Sequence, residues 1–334
     1  MECGNGDAKG TVCVTGGAGY IGSSLIMRLL ERGYSVRATV RLDPEMKRDI
    51  SHITNLPGAS ERLQVFNADL EKLNSFDEAI AGCVGVFHVA HPFSFTEGDG
   101  GADDVAIKTM IDRNLDILKA CLKSKTVKRV VYTSTAAAVV VNQTGFLAEV
   151  LDENSWSDVD FCRSVKLPGS SYVIPKTIIE QEALKFGDDN GLDVISIIPS
   201  MVVGPFICPH LPFSISMSLG PILGNKSRLG QKATQMVHID DIVSGHIFLY
   251  ECPDAKGRYI CSSVETSFRD FEKLISTHYP DYEMPTTLLS EETEQEKAVH
   301  LSPKKLLSLG FRFKFNLKDM VDGAIHSCKE KGFL

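Results

Sequence analysis

The sequence predicts an α/β protein built on a doubly wound parallel sheet, with a smaller, mostly helical C-terminal subdomain. Three observations carry that expectation. Short β-type runs alternate with amphipathic segments through the larger, N-terminal part of the chain, the pattern of a parallel sheet covered on both faces. The first run breaks into three glycines spaced three apart, Gly16, Gly19 and Gly22, and resumes at once as a helical pattern. Beyond Pro199 the texture changes: Pro205, Pro209, Pro212, Gly220, Pro221, Gly224 and Gly230 punctuate a run of Met, Phe, Ile and Leu that no single regular element can hold.

In order, strands are expected at Thr11 to Thr15, Ser35 to Val40, Leu63 to Asn67, Val84 to Ala90, Lys128 to Ser134 and Leu192 to Ile198. Helices are expected at Ser23 to Arg32, Pro44 to Ile53, Ser75 to Ala81, Asp104 to Lys123 and Tyr172 to Asn190, each with apolar residues at three- and four-residue spacing. Residues 1–198 read as a dinucleotide-binding domain of Rossmann type, with a return segment near 236–262. Residues 199–235 and 263–334 read as a substrate-binding subdomain over the open end of the sheet.

Composition limits the function classes. With 334 residues, 43% of them hydrophobic, the chain can bury a large core. A net charge of -8 without a basic stripe argues against a nucleic-acid or anionic-membrane surface. No apolar run approaches a membrane span and the N-terminus lacks a signal-peptide core, so the expected location is cytoplasmic. The nine cysteines are scattered without a Cys-x-x-Cys pair, which suggests neither a disulfide framework nor a metal site.

The glycine triplet lies between a β-type run and an amphipathic segment, where a tight turn lets helix N–H groups point at a pyrophosphate. The second strand ends at Arg41, roughly 20 residues on, where a carboxylate would bind the ribose 2′-hydroxyl of NAD. An arginine there fits a 2′-phosphate, with Lys47 and Arg48 nearby; the alternative is a solvated surface arginine. NADP(H) is therefore the expected cofactor. Asp69 closes the third strand, placed either to meet the adenine or to cap the next helix in competition with Ser75.

Tyr172 and Lys176 carry the chemistry. Four apart on a helix, they share a face, and the ammonium should lower the phenol pKa toward working pH. The tyrosine then gives a proton to a carbonyl oxygen as hydride arrives from a nicotinamide. A tyrosine and lysine one turn apart are usually a surface pair, so the assignment needs a third hydroxyl. The run Thr133-Ser134-Thr135 supplies it at a strand end.

These features resemble the extended short-chain dehydrogenase/reductase family, in its plant branch of dihydroflavonol, anthocyanidin, cinnamoyl-CoA and vestitone reductases. The likeness covers nearly the whole chain. It rests on Val12 to Ser23, Val36 to Arg41, Gly85 to Ala90, Trp156 to Cys162, Val202 to Phe206 and Val237 to Asp241. The resemblance implies that Gly16, Gly19, Tyr20, Ile21 and Gly22 hold the pyrophosphate and Arg41 the 2′-phosphate. Asp69 and Leu70 would flank adenine, Val89 and Ala90 the middle of the cofactor, and Pro199 and Val202 the carboxamide, with Thr133 and Ser214 as further cofactor contacts. Tyr172 becomes the general acid and Lys176 its ribose-bound partner.

Four departures narrow the expectation. The catalytic hydroxyl falls on Thr135 where relatives carry serine. Pro175 replaces the serine usual before the lysine and deletes a helical donor, which should shift or kink the helix. Val140 stands where dihydroflavonol reductases read the substrate with asparagine, and the cinnamoyl-CoA reductase tyrosine motif is absent. The expected partner is thus a small aromatic or polycyclic plant ketone, aldehyde or lactol, bound by a monomer or homodimer. Its pocket should be walled by His91, Phe93, Phe95, Val140, Met201, Phe206, Leu211 and Phe213. The same residues serve oxidation of an alcohol or lactol, and a non-catalytic dinucleotide sensor remains the alternative outside enzymes.

Overall fold

The computed structural model describes residues 9–41, 49–91, 104–141, 150–165, 169–220, 222–223, 234–282 and 300–334. The N-terminal part runs β1 (Thr11–Thr15), α1 (Tyr20–Glu31), β2 (Ser35–Val40), α2 (Ser51–Thr54), α3 (Ala59–Arg62), β3 (Leu63–Asn67), α4 (Asp77–Ile80), β4 (Gly85–His88), α5 (Asp104–Ser124) and β5 (Arg129–Thr133). A short 3-10 turn, Ala136–Ala138, leads to β6 (Val150–Leu151), α6 (Val159–Ser164), α7 (Ser170–Asn190), β7 (Asp193–Pro199), β8 (Met201–Val203) and α8 (Phe213–Ser218). The chain closes with β9 (Thr234–His238), α9 (Ile239–Glu251), β10 (Gly257–Cys261), β11 (Val264–Thr266), α10 (Phe268–His278), β12 (His300–Leu301), α11 (Lys304–Ser308) and α12 (Leu317–Glu330).

Seven strands form one parallel sheet in the order β10-β7-β5-β4-β1-β2-β3. Val12 and Val14 on β1 enter the apolar layer beneath α1 and α9, while Cys13 between them enters the layer beneath α4, α5 and α7. A central strand buried on both faces therefore reads as an unbroken apolar run. The strand order reverses between β1 and β4, and their carboxyl ends open a crevice at that switch point. β8, β9 and β11 make a small second sheet beside it, and β6 and β12 a two-stranded one.

Every expected strand is present, with ends that differ by a residue or two. β10 is the addition to the main sheet, and the charge inside its short run, Arg258, is what hid it. The helix expected from Pro44 falls partly outside the described residues; from 49 onward the chain gives only α2 and α3, separated by Gly58 in the left-handed region at φ 78. Helix α7 runs continuously through Pro175. Beyond the first turn the ring removes one helical hydrogen bond. The turn is held instead by Val173 and Ile174, which pack against Ile107 and Cys162. No disulfide joins the described cysteines, and all but Cys252 are buried, as small hydrophobes would be.

α9 is fastened to the sheet by a polar clamp. Arg129 donates to the carbonyls of Leu249 at 2.9 Å and Tyr250 at 3.2 Å, at the end of α9, and to Asp193 on β7 at 2.8 Å. Among the described residues no helix is long and apolar enough to cross a membrane.

Candidate active site

The glycine turn opens the crevice. Gly16 adopts φ +71, and a Cβ on Gly22 would lie 2.2 Å from the Gly16 carbonyl oxygen, so the turn and the close helix approach need both glycines. Gly19 is different. Its Cβ would meet only that carbonyl, at 3.4 Å, and otherwise face open space. It is the N-cap of α1, whose first turn carries no acidic residue. The N–H groups of Tyr20, Ile21 and Gly22, which a helix cannot satisfy internally, thus form a cradle that fits a pyrophosphate.

The end of β4 lies against this turn. The Thr15 hydroxyl accepts from the N–H groups of Val89 at 3.1 Å and Ala90 at 3.0 Å, and a Cβ on Gly16 would come within 3.0 Å of the Ala90 Cα. With its lone pairs so used, Thr15 donates to His88 Nδ1 at 3.1 Å. Arg41 stands exposed one residue past β2, at the same edge of the sheet; Lys47 and Arg48 lie outside the described residues. Asp69 caps nothing in α4, whose N-cap is Phe76. Its carboxylate accepts the Glu71 N–H at 3.0 Å, and the Ser75 hydroxyl grips its backbone, donating to the carbonyl at 2.7 Å. Leu70 packs on the apolar layer alongside. Pro199 ends β7, Val202 lies buried in β8, and Ser214 is half-buried in α8.

Thr135, Tyr172 and Lys176 meet at the ends of β5 and the first turns of α7. The Thr135 side chain stands close enough to the Tyr172 phenol to favour its ionised form. Burial raises the phenol pKa above its ordinary value of 10.0, and Thr135 only partly opposes that. The expected lowering by Lys176 is absent because the ammonium is engaged elsewhere. Its Nζ donates to the Thr133 carbonyl at 3.1 Å and sits 5.3 Å from the centre of the Tyr132 ring. Burial brings the Lys176 pKa down to about 8, a fall moderated by Glu180.

The Thr133 hydroxyl is also committed. His246 on α9 holds the Ile242 carbonyl through Nδ1 at 2.7 Å; a carbonyl only accepts, so Nδ1 carries the proton and Nε2 accepts from Thr133 at 2.8 Å. Burial depresses His246 to about 4, and burial with the Lys176 charge depresses His88 to about 3. Both enter the fold neutral. An unfolded histidine binds its proton near pH 6.5, so the unfolded chain holds more protons between that pH and the folded values, and stability is lost as pH falls through this window. The expected slope is about 1.4 kcal/mol per pH unit for each histidine. Melting temperatures from pH 7 to 4.5 check it, and His246→Gln, which can still meet Thr133, should flatten the curve.

The substrate side departs from the expected single wall. His91 stands edge-on to Tyr172, ring centres 6.2 Å apart. Burial, then the Lys176 charge, push its pKa well below the usual histidine value, and its buried Nδ1 has no partner among the described residues. Met201 and Leu211 pack on the core of the second sheet, and Phe206, 3% exposed, lies inside that core between Tyr20 and Phe333. Its ring is packing rather than open wall. Val140 packs against Leu151, Ile198, Ile260 and Leu301, and Phe213 is 48% exposed. Phe93 and Phe95 lie outside the described residues. The Trp156 to Cys162 stretch acts locally. Ser157 donates to the Ala137 carbonyl at 2.7 Å and accepts the Val141 N–H at 3.0 Å, and Asp158 caps α6, so the stretch pins the segment that follows Thr135.

Sequence reasoning missed a buried charge network behind this site. Glu180 and Arg258 pair at 2.9 Å with side chains 0% and 6% exposed. Arg258 stacks on Trp156, 3.3 Å from the ring centre, and also lines a cavity of about 590 Å³ with Asp152, Glu153, Asn154, Ser302 and Lys305. The available signal was Glu180 one turn past Lys176, a carboxylate within the buried stripe of α7. The Tyr20 hydroxyl, which donates to the Gly204 carbonyl at 3.0 Å, was missed as well.

A glycine cradle at the switch point with a buried hydroxyl, tyrosine and lysine at its side defines an NAD(P)-dependent oxidoreductase of the short-chain dehydrogenase/reductase type. Comparison with known sequences agrees. The chain belongs to the NAD dependent epimerase/dehydratase family, whose sequence profile matches residues 12–261. It is 52% identical over 328 residues to noscapine synthase SDR1 of Papaver somniferum, covering 97% of this chain and 93% of that protein. Vestitone reductase of Medicago sativa is 48% identical, with 98% and 99% of the two chains covered. The bifunctional dihydroflavonol 4-reductase/flavanone 4-reductase of Malus domestica is 48% identical over 330 residues, with 98% and 93% covered. Among solved structures, vestitone reductase from alfalfa superposes with a TM-score of 0.86 at 46% identity, over 98% of this chain and 100% of that one.

Proposed function

We propose that the protein is a cytosolic NADPH-dependent reductase that transfers hydride to a carbonyl of a plant specialised metabolite. The substrate class is a flavonoid, isoflavonoid or alkaloid-type ketone, aldehyde or lactol, supported by the names of the relatives above. The observation that carries the reading is the convergence of Thr135 and Tyr172 with buried Lys176, whose ammonium is held by the Thr133 carbonyl. When bound, the reduced nicotinamide supplies the hydride.

This chain's residues do the rest. Gly19, Tyr20, Ile21 and Gly22 bind the pyrophosphate and Arg41 the 2′-phosphate. Thr135 orients the carbonyl oxygen and Tyr172 gives it a proton. A phenol whose pKa is raised by burial keeps that proton at neutral pH, where it is available to the carbonyl oxygen. Lys176, held on the Thr133 carbonyl, is the ribose-bound partner that keeps the nicotinamide end beside Tyr172. Neutral His91 offers Nδ1 to a substrate oxygen, and Val140 makes a polyhydroxylated flavanonol a poor fit. The substrate side is assembled from residues 199–235 and 263–334.

The test combines a carbonyl screen with a cofactor comparison. NADPH should support turnover of an aromatic or polycyclic ketone, and Arg41→Ala should weaken NADPH by roughly ten- to a hundredfold, the worth of a charge-assisted phosphate contact of about 1.5 to 3 kcal/mol, while NADH changes little. Equal affinity of the native protein for the two cofactors would remove the assignment of Arg41.

A further inference from the structure

Glu180 is the most heavily bonded buried side chain near the site. Its carboxylate accepts from the Ser134 hydroxyl at 2.6 Å, the Ser196 hydroxyl at 2.7 Å and Arg258 Nε at 2.9 Å. Those donors come from the residue just past β5 and from β7 and β10, so one anion ties three neighbouring strands to α7. Two features make this more than packing. Ser134 sits between Thr133, whose carbonyl receives Lys176, and Thr135, whose hydroxyl meets Tyr172. Glu180 also lies one helical turn from Lys176, the cation whose burial it opposes.

We infer that Glu180, clamped by Arg258, is the positioning residue of this site: it fixes the Thr133-Ser134-Thr135 strand end through Ser134 and provides the counter-charge to the Lys176 ammonium. The inference rests on the reductase reading of Tyr172 and Lys176. Burying an ammonium without a nearby anion favours its neutral form, and an opposite charge within a few ångströms restores the charged one. Among the described residues, the other titratable groups that interact with Lys176 are Tyr132 on β5, and His88 and His91 at and beyond the end of β4. Both histidines are held neutral by burial near Lys176, so neither supplies the anion.

The experiment is a pH profile from 5.5 to 9.5 of kcat/KM and of NADPH binding, for the native protein, Glu180→Gln, the double variant Glu180→Gln/Arg258→Gln, and Ser134→Ala. The double variant covers the case in which an unpaired buried arginine unfolds the single one. Loss of the anion should move the alkaline limb of both profiles down by about one pH unit or more, with most activity recovered near pH 6 where Lys176 is still charged. Ser134→Ala keeps the charge, so it should lower kcat about equally at every pH and leave the limb in place. A limb that stays put in folded Glu180→Gln or double-variant protein overturns the inference. Native protein that binds NADPH but turns over no carbonyl overturns the reductase reading instead, and the binding profile still decides on Glu180.

Discussion

Tyr172→Phe should lower kcat by about 10²- to 10⁴-fold while NADPH binds as before. The ring stays in place on α7 and only the hydroxyl beside Thr135 is removed, so the loss falls on proton transfer and not on the fold. Turnover at saturating NADPH and cofactor titration by nicotinamide fluorescence separate the two quantities. Lys176→Ala should damage both, because its ammonium also faces the bound ribose in the proposed arrangement. A Phe variant that keeps most of its activity would show that the proton comes from another group, and His91 at 6.2 Å would be the next residue to replace.

The glycine turn gives the second large effect, and it splits by position. Gly22→Ala places a methyl 2.2 Å from the Gly16 carbonyl oxygen, a distance no carbon tolerates, so the turn must open. Both melting temperature and NADPH affinity should fall, the affinity by about a hundredfold or more, as for removal of the anion cradle's backbone geometry. Gly19→Ala meets the same oxygen at an ordinary 3.4 Å. Its melting temperature should hold within a degree or two while NADPH binding weakens, because the methyl points where the pyrophosphate arrives. A Gly19 variant that binds NADPH normally would place the phosphate away from this turn.

The glycine turn was legible because its chemistry and its period change coincide within a few residues. Apolar alternation stops, glycines follow at fixed spacing, and the helical pattern starts. Tyr172 and Lys176 were legible as a pair for the same local reason. Their electrostatics were not, since the Lys176 ammonium turns to a backbone carbonyl 43 residues earlier in the chain. Glu180 and Arg258 escaped notice because a single charge within a helix or a short strand reads as solvated surface until its partner, 78 residues away, is placed beside it. The substrate wall failed for another reason. Phe206 in a proline-rich run has the same sequence appearance whether it lines a crevice or fills a core, and it fills a core. Pro175 was read from local rules alone, and the packing of Val173 and Ile174 on Ile107 and Cys162 lies outside them.

The separation between Glu180 and Arg258 also orders events while the chain is being made. At about 5–20 residues per second, the ribosome delivers β10 roughly 3 to 13 seconds after β7, the strand it pairs with. During that interval the Val194 to Ile198 run of β7 is an open apolar edge, and the carboxylate it will share has no cation. Such an edge pairs readily with a neighbouring nascent chain. The clamp that holds Glu180 against Ser134 is therefore completed only once β10 has been made, late in translation.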